Sequence, residues 1–211
     1  MAGTYQQFCA VAAALDHLGD RWTLLVVREL LAGPRRYGEL VEGLPGVATN
    51  LLAERLRRLE AAGLVAREAG LSGRPVYRLT PRGAEVEPVV VALARFGLAL
   101  LPDEADGLAF RPQWLRLAVR LLLRPGALTD DLVVRFEVRG PGQPAAVQLR
   151  LDAADAAVDD VASPDVVVAG DPGALLAALR GAAGIPALVA AGRLTVTGAA
   201  PDRRRLVDAL P

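Results

Sequence analysis

The 211 residues include one cysteine, one histidine and no lysine, so all 24 basic side chains are arginines. A single thiol, Cys9, excludes an intrachain disulfide framework. A single imidazole, His17, excludes the usual multi-ligand zinc patterns, and no metal site is expected. The absence of lysine, beside the load of Ala, Gly and Pro, fits a GC-rich coding bias and carries no functional information. Long hydrophobic runs are also missing. Apolar residues make up 53% of the chain, yet they are dispersed among Arg, Asp, Gly and Pro, and no run reaches the roughly 18 to 20 residues of a membrane helix. No membrane partner is expected. The opening stretch MAGTYQQFCAVAAALDHLGDRW lacks a basic segment followed by an apolar core and a cleavage site, so a cytoplasmic location is expected.

Catalytic arrangements are absent as well. Asp130-Asp131 and Asp159-Asp160 have no His or Cys nearby and read as solvated or capping pairs. The glycine-rich AGDPGALLAALRGAAG has neither the Lys-Ser/Thr of a phosphate loop nor the strand-anchored G-x-G-x-x-G order. We expect no enzyme and no cofactor. Formal charge is zero, with 12 Arg against 10 acidic residues in positions 1–100 and 12 against 14 in the remainder. With so small an excess, affinity for nucleic acid has to come from local clustering and dimerisation.

What is present centres on TNLLAERLRRLEAAG, residues 49–63. Thr49 is a suitable helix cap, Leu52, Leu56 and Leu59 form one apolar stripe, and Gly63 is a stop signal. The opposite face carries Asn50, Glu54, Arg57 and Arg58, with Thr49 at its rim and Arg55 on the flank. Arginine forks match phosphates and guanine edges, an Asn amide pairs with adenine, and the major groove admits a helix. Two helical patterns precede it. One carries Val11, Ala14, Leu15 and Leu18; the other carries Trp22, Leu25, Val26, Leu30 and Leu31 and is closed by Gly33-Pro34. A short helix from Tyr37 to Glu42 and the Gly43–Gly46 turn then complete a helix-turn-helix pattern. Leu64 to Thr80 reads as a β-hairpin with a Ser72-Gly73-Arg74-Pro75 tip. In a winged helix Arg74 would reach a phosphate or the minor groove. A helix from Ala84 to about Leu101 follows, in which Pro88 either starts the regular part or introduces a kink. Its apolar residues exceed one narrow face, and the cover is either a second subunit or the second domain.

GDRWTLLVVREL, GPRRYGEL, LAERLRRLEAAGLV and YRLTPRG together resemble the HxlR-type winged-helix transcriptional regulators over about Cys9 to Gly97. The resemblance implies a homodimer, with N- and C-terminal helices at its interface, that binds double-stranded operator DNA. It implies DNA-facing roles for Thr49, Asn50, Glu54, Arg57 and Arg58, with Arg74 in the wing and Arg36 at the start of the preceding helix. It leans towards repression. Cys9 lies close to where some members carry a redox- or electrophile-sensing thiol, a role that needs an exposed thiol of lowered pKa.

Beyond the acidic, turn-rich PDEADG that marks a linker at 102–109, the pattern changes. Residues 113–123 read as an apolar helix. Strand patterns follow at 132–138, 145–151 and 156–158, the first two joined by Gly140-Pro141-Gly142, which predicts an antiparallel meander. A short buried strand at 166–169 leads into a helix capped by Asp171 with Pro172 in its first turn. A helix at 185–191, a strand at 194–197 and a final helix at 201–210 close the chain. PDVVVAGDPGALLAALRGAAG, ALVAAGRLTVTG and the last helix resemble the sterol carrier protein-like domain over 110–211. That resemblance implies an apolar tunnel for a hydrophobic small molecule. Its candidate lining is Trp114, Leu117, Leu121, Phe136, Leu175, Leu179, Ile185, Leu188 and Leu194, although residues at such spacings are ordinarily core.

The expected fold class is mixed α/β (α+β). A winged helix-turn-helix DNA-binding and dimerisation domain occupies 1–101 and a sterol carrier protein-like domain occupies 110–211. The leading expectation is a homodimeric DNA-binding transcriptional regulator whose second domain senses an apolar small molecule. The alternative is a lipid or hydrophobic-metabolite binding protein in which the winged helix serves only dimerisation.

Overall fold

The computed structural model describes residues 5–70, 73–102, 108–111, 113–124, 126–139, 145–152, 156–158, 163–181 and 183–210. The chain divides into two compact units, Met1–Ala92 and Leu93–Pro211. Ser72 of the hairpin tip, residues 103–107 of the expected linker, the Gly140-Pro141-Gly142 turn and Asp159-Asp160 lie outside the described residues.

The first unit runs α1 (Ala10–Leu18), α2 (Thr23–Leu31), α3 (Tyr37–Gly43), α4 (Thr49–Ala61), β1 (Val65–Ala69), β2 (Pro75–Leu79), α5 (Pro81–Ala84) and into α6 (Glu87–Leu98). The predicted stripe of α4, Leu52, Leu56 and Leu59, is buried together with Val26, Val27 and Leu30 of α2 and Leu40 of α3. Gly63, at φ 69°, ends α4, and the Leu64 N–H closes back on the Leu59 carbonyl at 2.9 Å. That is the six-residue closure that a left-handed glycine permits. β1 and β2 pair antiparallel, and Arg35 adds a short bridge to Tyr77 through two backbone hydrogen bonds of 2.9 and 2.7 Å. Gly83 of α5 sits against the Leu64 carbonyl so closely that a Cβ there would lie 1.9 Å from the oxygen.

Two sequence expectations need correction in this unit. The single helix expected from Ala84 is two helices, α5 and α6, separated by a turn at Glu85–Val86. Glu87 starts the second one and Pro88 follows within its first turn, where the missing N–H costs nothing. In α1 only Ala12 and Leu18 are buried, whereas Val11 and Leu15 are 67% and 42% exposed. Among the described residues of the unit that side of the helix stays uncovered, so Val11 and Leu15 are not core residues while Leu18 is. Glu29, which the sequence patterns did not single out, is buried and accepts from Arg28 Nε at 3.0 Å and Nη2 at 2.7 Å. A Cβ on Gly43 would meet its Oε2 at 2.6 Å, so α2 and α3 approach closely there.

In the second unit α6 is followed by α7 (Trp114–Leu122), β3 (Leu132–Val138), β4 (Ala145–Leu151) and β5 (Ala156–Val158). Then come β6 (Val166–Gly170), α8 (Pro172–Leu179), α9 (Ile185–Ala190), β7 (Leu194–Gly198) and α10 (Ala200–Ala209). The sheet order is β5-β4-β3-β6-β7, with the β3–β6 pair parallel and the other neighbours antiparallel. β3, β4 and β5 thus form the expected meander. Asp171 Oδ1 accepts the Ala174 N–H at 2.8 Å, so α8 has the predicted cap. α7 lies against β4 and β5, α8 against β6, and α9 and α10 against β7, around one apolar core.

Candidate nucleic-acid interface

The interface is built on α3, the turn after it and α4. Arg36 is the residue before α3, exposed, with its N–H donated to Glu39 Oε2 at 2.6 Å. One residue further, the Tyr37 hydroxyl donates to the Thr49 carbonyl at 2.7 Å and so ties the start of α3 to the start of α4. Thr49 is not the cap. The Val47 N–H bonds the Leu44 carbonyl at 3.1 Å and delivers Ala48 extended, so Ala48 precedes the helix and Thr49 is its first residue. The turn and the Tyr37 contact override the intrinsic capping preference of Thr, and they leave Thr49 exposed at the rim.

Along the outer face, Asn50 and Arg57 are exposed two turns apart, and Arg57 forms no ion pair among the described residues. Glu54 and Arg58 behave differently. Arg58 Nη2 reaches Glu54 Oε1 at 2.6 Å and Arg58 Nη1 reaches Asp20 Oδ2 at 2.7 Å. Both keep partly exposed side chains on this face while they belong to an ion network with the turn before α2. That network also takes in Arg55, whose Nη1 lies 3.2 Å from Asp20 Oδ2 and 3.5 Å from Glu54 Oε1.

On the hairpin, Arg74 is exposed beside Gly73, itself at φ 72°. The other wing charges are occupied. Arg78 Nη2 bonds Glu68 Oε1 at 2.6 Å, and this hydrogen bond holds the Glu68 carboxyl below the usual carboxylate range. The Arg67 guanidinium lies 5.9 Å from the Tyr77 ring centroid. Arg36 and Thr49 are thus brought together through Tyr37, Asn50 and Arg57 continue along α4, and Arg74 stands on the separate hairpin.

In the second unit Phe136, Leu175, Leu179, Ile185, Leu188 and Leu194 all belong to one continuous buried cluster. Trp114, Leu117 and Leu121 are only half-buried, because α7 turns Leu115 and Val119 to the core instead. The Trp114 ring meets Phe110 edge-on at 6.3 Å. Cys9 precedes α1 and is exposed. The backbone N–H groups of Ala12 and Val11 hold its thiol below the ordinary value.

Residues 17–105 match the HxlR-like helix-turn-helix family. An uncharacterized HTH-type transcriptional regulator of Synechocystis is 39% identical over 99 residues, which cover 46% of this chain and 73% of that protein. The chain belongs to the HxlR-like helix-turn-helix family. Two further relatives accord with this membership. An uncharacterized HTH-type transcriptional regulator of Mycobacterium tuberculosis is 40% identical over 95 residues, 44% of this chain and 60% of its own length. The HTH-type transcriptional regulator YodB of Bacillus subtilis is 38% identical over 80 residues, 36% of this chain and 70% of that one. Residues 129–205 match the SCP-2 sterol transfer family. This HxlR-family chain is therefore a helix-turn-helix transcriptional regulator that carries an SCP-2 domain. No helix among the described residues is long and apolar enough to cross a membrane.

Proposed function

We propose that this HxlR-family regulator acts in the cytoplasm as a homodimer and sets one α4 from each copy into operator DNA as a repressor. Asn50 and Arg57 read base edges and phosphates, while Thr49, Arg36 and Arg74 hold the backbone. The observation that carries this reading is the free outer face of α4, where Arg57 is solvent-exposed with no ion-pair partner among the described residues. Dimerisation is supported by the apolar side chains left open on two helices and the segment before them. Phe8, Val11 and Leu15 are exposed at α1, and Val89, Leu93 and Phe96 are exposed on α6, more than the scattered apolar residues a monomer surface ordinarily shows. Palindromic operators need two recognition helices.

The second unit binds an apolar small molecule and changes operator affinity, which requires the ligand to favour one state over the other. Support comes from the SCP-2 match and from the half-buried Trp114, Leu117 and Leu121 beside the filled core. The chain acts by binding rather than by catalysis. A second input is favoured by the exposed, lowered-pKa Cys9: oxidation or alkylation at the edge of the α1 apolar face would disturb the dimer. A Cys9→Ser chain whose DNA binding responds to oxidant as the native chain does would exclude it.

The test of the main reading is selection of bound fragments from a genomic library by the purified full chain, with Arg57→Ala alongside. Enrichment of a near-palindromic site by the native chain, lost in the variant, is expected. No enrichment at low salt would leave the hydrophobic-ligand protein as the function.

A further inference from the structure

The turn between α1 and α2 is used by nothing in the reading above, yet it is strained and tied to α4. Trp22 sits at φ 78°, ψ −21°, in the left-handed region, where a bulky residue is an outlier and persists only if its surroundings over-determine it. Those surroundings come from the recognition helix. Arg55 Nε donates at 3.2 Å to the Arg21 carbonyl, the oxygen of the peptide that leads into Trp22. The Arg21 guanidinium lies 5.5 Å from the Trp22 ring centroid, and a Cβ on Gly46, in the turn before α4, would lie 3.8 Å from the far edge of that ring. Asp20 then accepts Arg58 at 2.7 Å and faces Arg55 at 3.2 Å. Arg55 is mostly buried, its side chain 11% exposed, and Nη1 has no well-aligned hydrogen bond, so Asp20 and Glu54 answer its charge by proximity alone. A buried charge that loses its partner is costly. A cleft of about 250 Å³ runs alongside, lined by Asp16, His17, Thr23 and the same three charged residues.

We propose that Asp20, Arg55 and Arg58 are positioning residues that lock α4 onto the strained turn, and that Arg58 contacts no DNA. The inference rests on α4 being the DNA-reading helix. Both terminal nitrogens of Arg58 are already engaged, Nη1 by Asp20 and Nη2 by Glu54, so a phosphate would have to displace two carboxylates to reach it. Arg57, one residue earlier, is free to meet a phosphate without such competition.

The experiment is a series of affinities for the selected fragment at increasing salt, using the full chain and its Arg58→Lys, Asp20→Asn, double-mutant and Arg57→Gln variants. A lysine keeps the charge a phosphate would use but lacks the fork that bridges two carboxylates. Arg58→Lys and Asp20→Asn are each expected to weaken binding on the order of tenfold, and the double variant to be little worse than either, since both break one unit. Their salt slopes should match the native chain, whereas Arg57→Gln should reduce the slope by about one. Asp20→Glu, which keeps the carboxylate, should recover most of the binding. Near-native affinity of Arg58→Lys, with Asp20→Asn neutral or tighter, would make Arg58 a phosphate ligand and overturn the proposal. Failure of the native chain to bind any fragment would instead remove the DNA reading on which it rests.

Discussion

The two units spend their apolar residues in opposite ways. In the second, the strand pattern is turned inward, and β3 buries Leu132, Val134, Phe136 and Val138 in one core. In the first, α4 buries Leu52, Leu56 and Leu59, but α1 and the start of α6 leave Val11, Leu15 and Val89 exposed. The difference teaches that an apolar periodicity identifies a face without saying what will cover it. In the second unit the cover is the same domain; in the first a second copy supplies it under our proposal.

The sharpest way to break the contrast is Phe136→Ala. As a filled-core residue, 2% exposed, Phe136 should cost about 3–5 kcal/mol in chemical denaturation of the full chain. A tunnel-wall residue facing an open cavity would cost much less. Gly83→Ala is the counterpart in the first unit: the added methyl would sit 1.9 Å from the Leu64 carbonyl. A backbone clash of that kind should cost roughly 1–3 kcal/mol or more and lower the melting temperature; an unchanged melt would mean that α5 is not seated there. Loss of the α8 cap through Asp171→Ala should cost about 1 kcal/mol, because Asp171 accepts both Ala174 N–H at 2.8 Å and Arg193 Nη2 at 3.2 Å. The smallest effect concerns Cys9. With its folded pKa depressed by backbone N–H groups, its thiolate persists to lower pH than in the unfolded chain. The alkylation rate of native protein should therefore reach half its plateau at a lower pH than in urea; coincident profiles would contradict the lowered thiol pKa.

Legibility in the sequence followed the range of the interactions. Asp171-Pro172 announces α8 because a cap and its helix are neighbours, and the meander can be read from alternation that the sheet then covers on site. α4 was equally plain, apart from its first residue, where Tyr37, twelve positions away, displaced the Thr49 cap. Sites made by distant residues were not legible. Arg58 and Asp20 are 38 positions apart, so the helical wheel placed Arg58 on the outer face without showing its partner in another turn. On α7 both sides are apolar, and the wheel alone did not show that Leu115 and Val119, rather than Leu117 and Leu121, would face the sheet. Glu29 gave no signal at all, since an acid in an apolar helix ordinarily points outward.

The account stands or falls on whether α4 reads DNA through its free face. The most direct measurement is the affinity of the full chain for its selected fragment across a salt series, for native protein and Arg57→Ala. The account predicts a steep loss of affinity with salt for the native chain and a weaker, shallower dependence for Arg57→Ala. Affinity that hardly responds to salt, or that is the same in the two proteins, would contradict it.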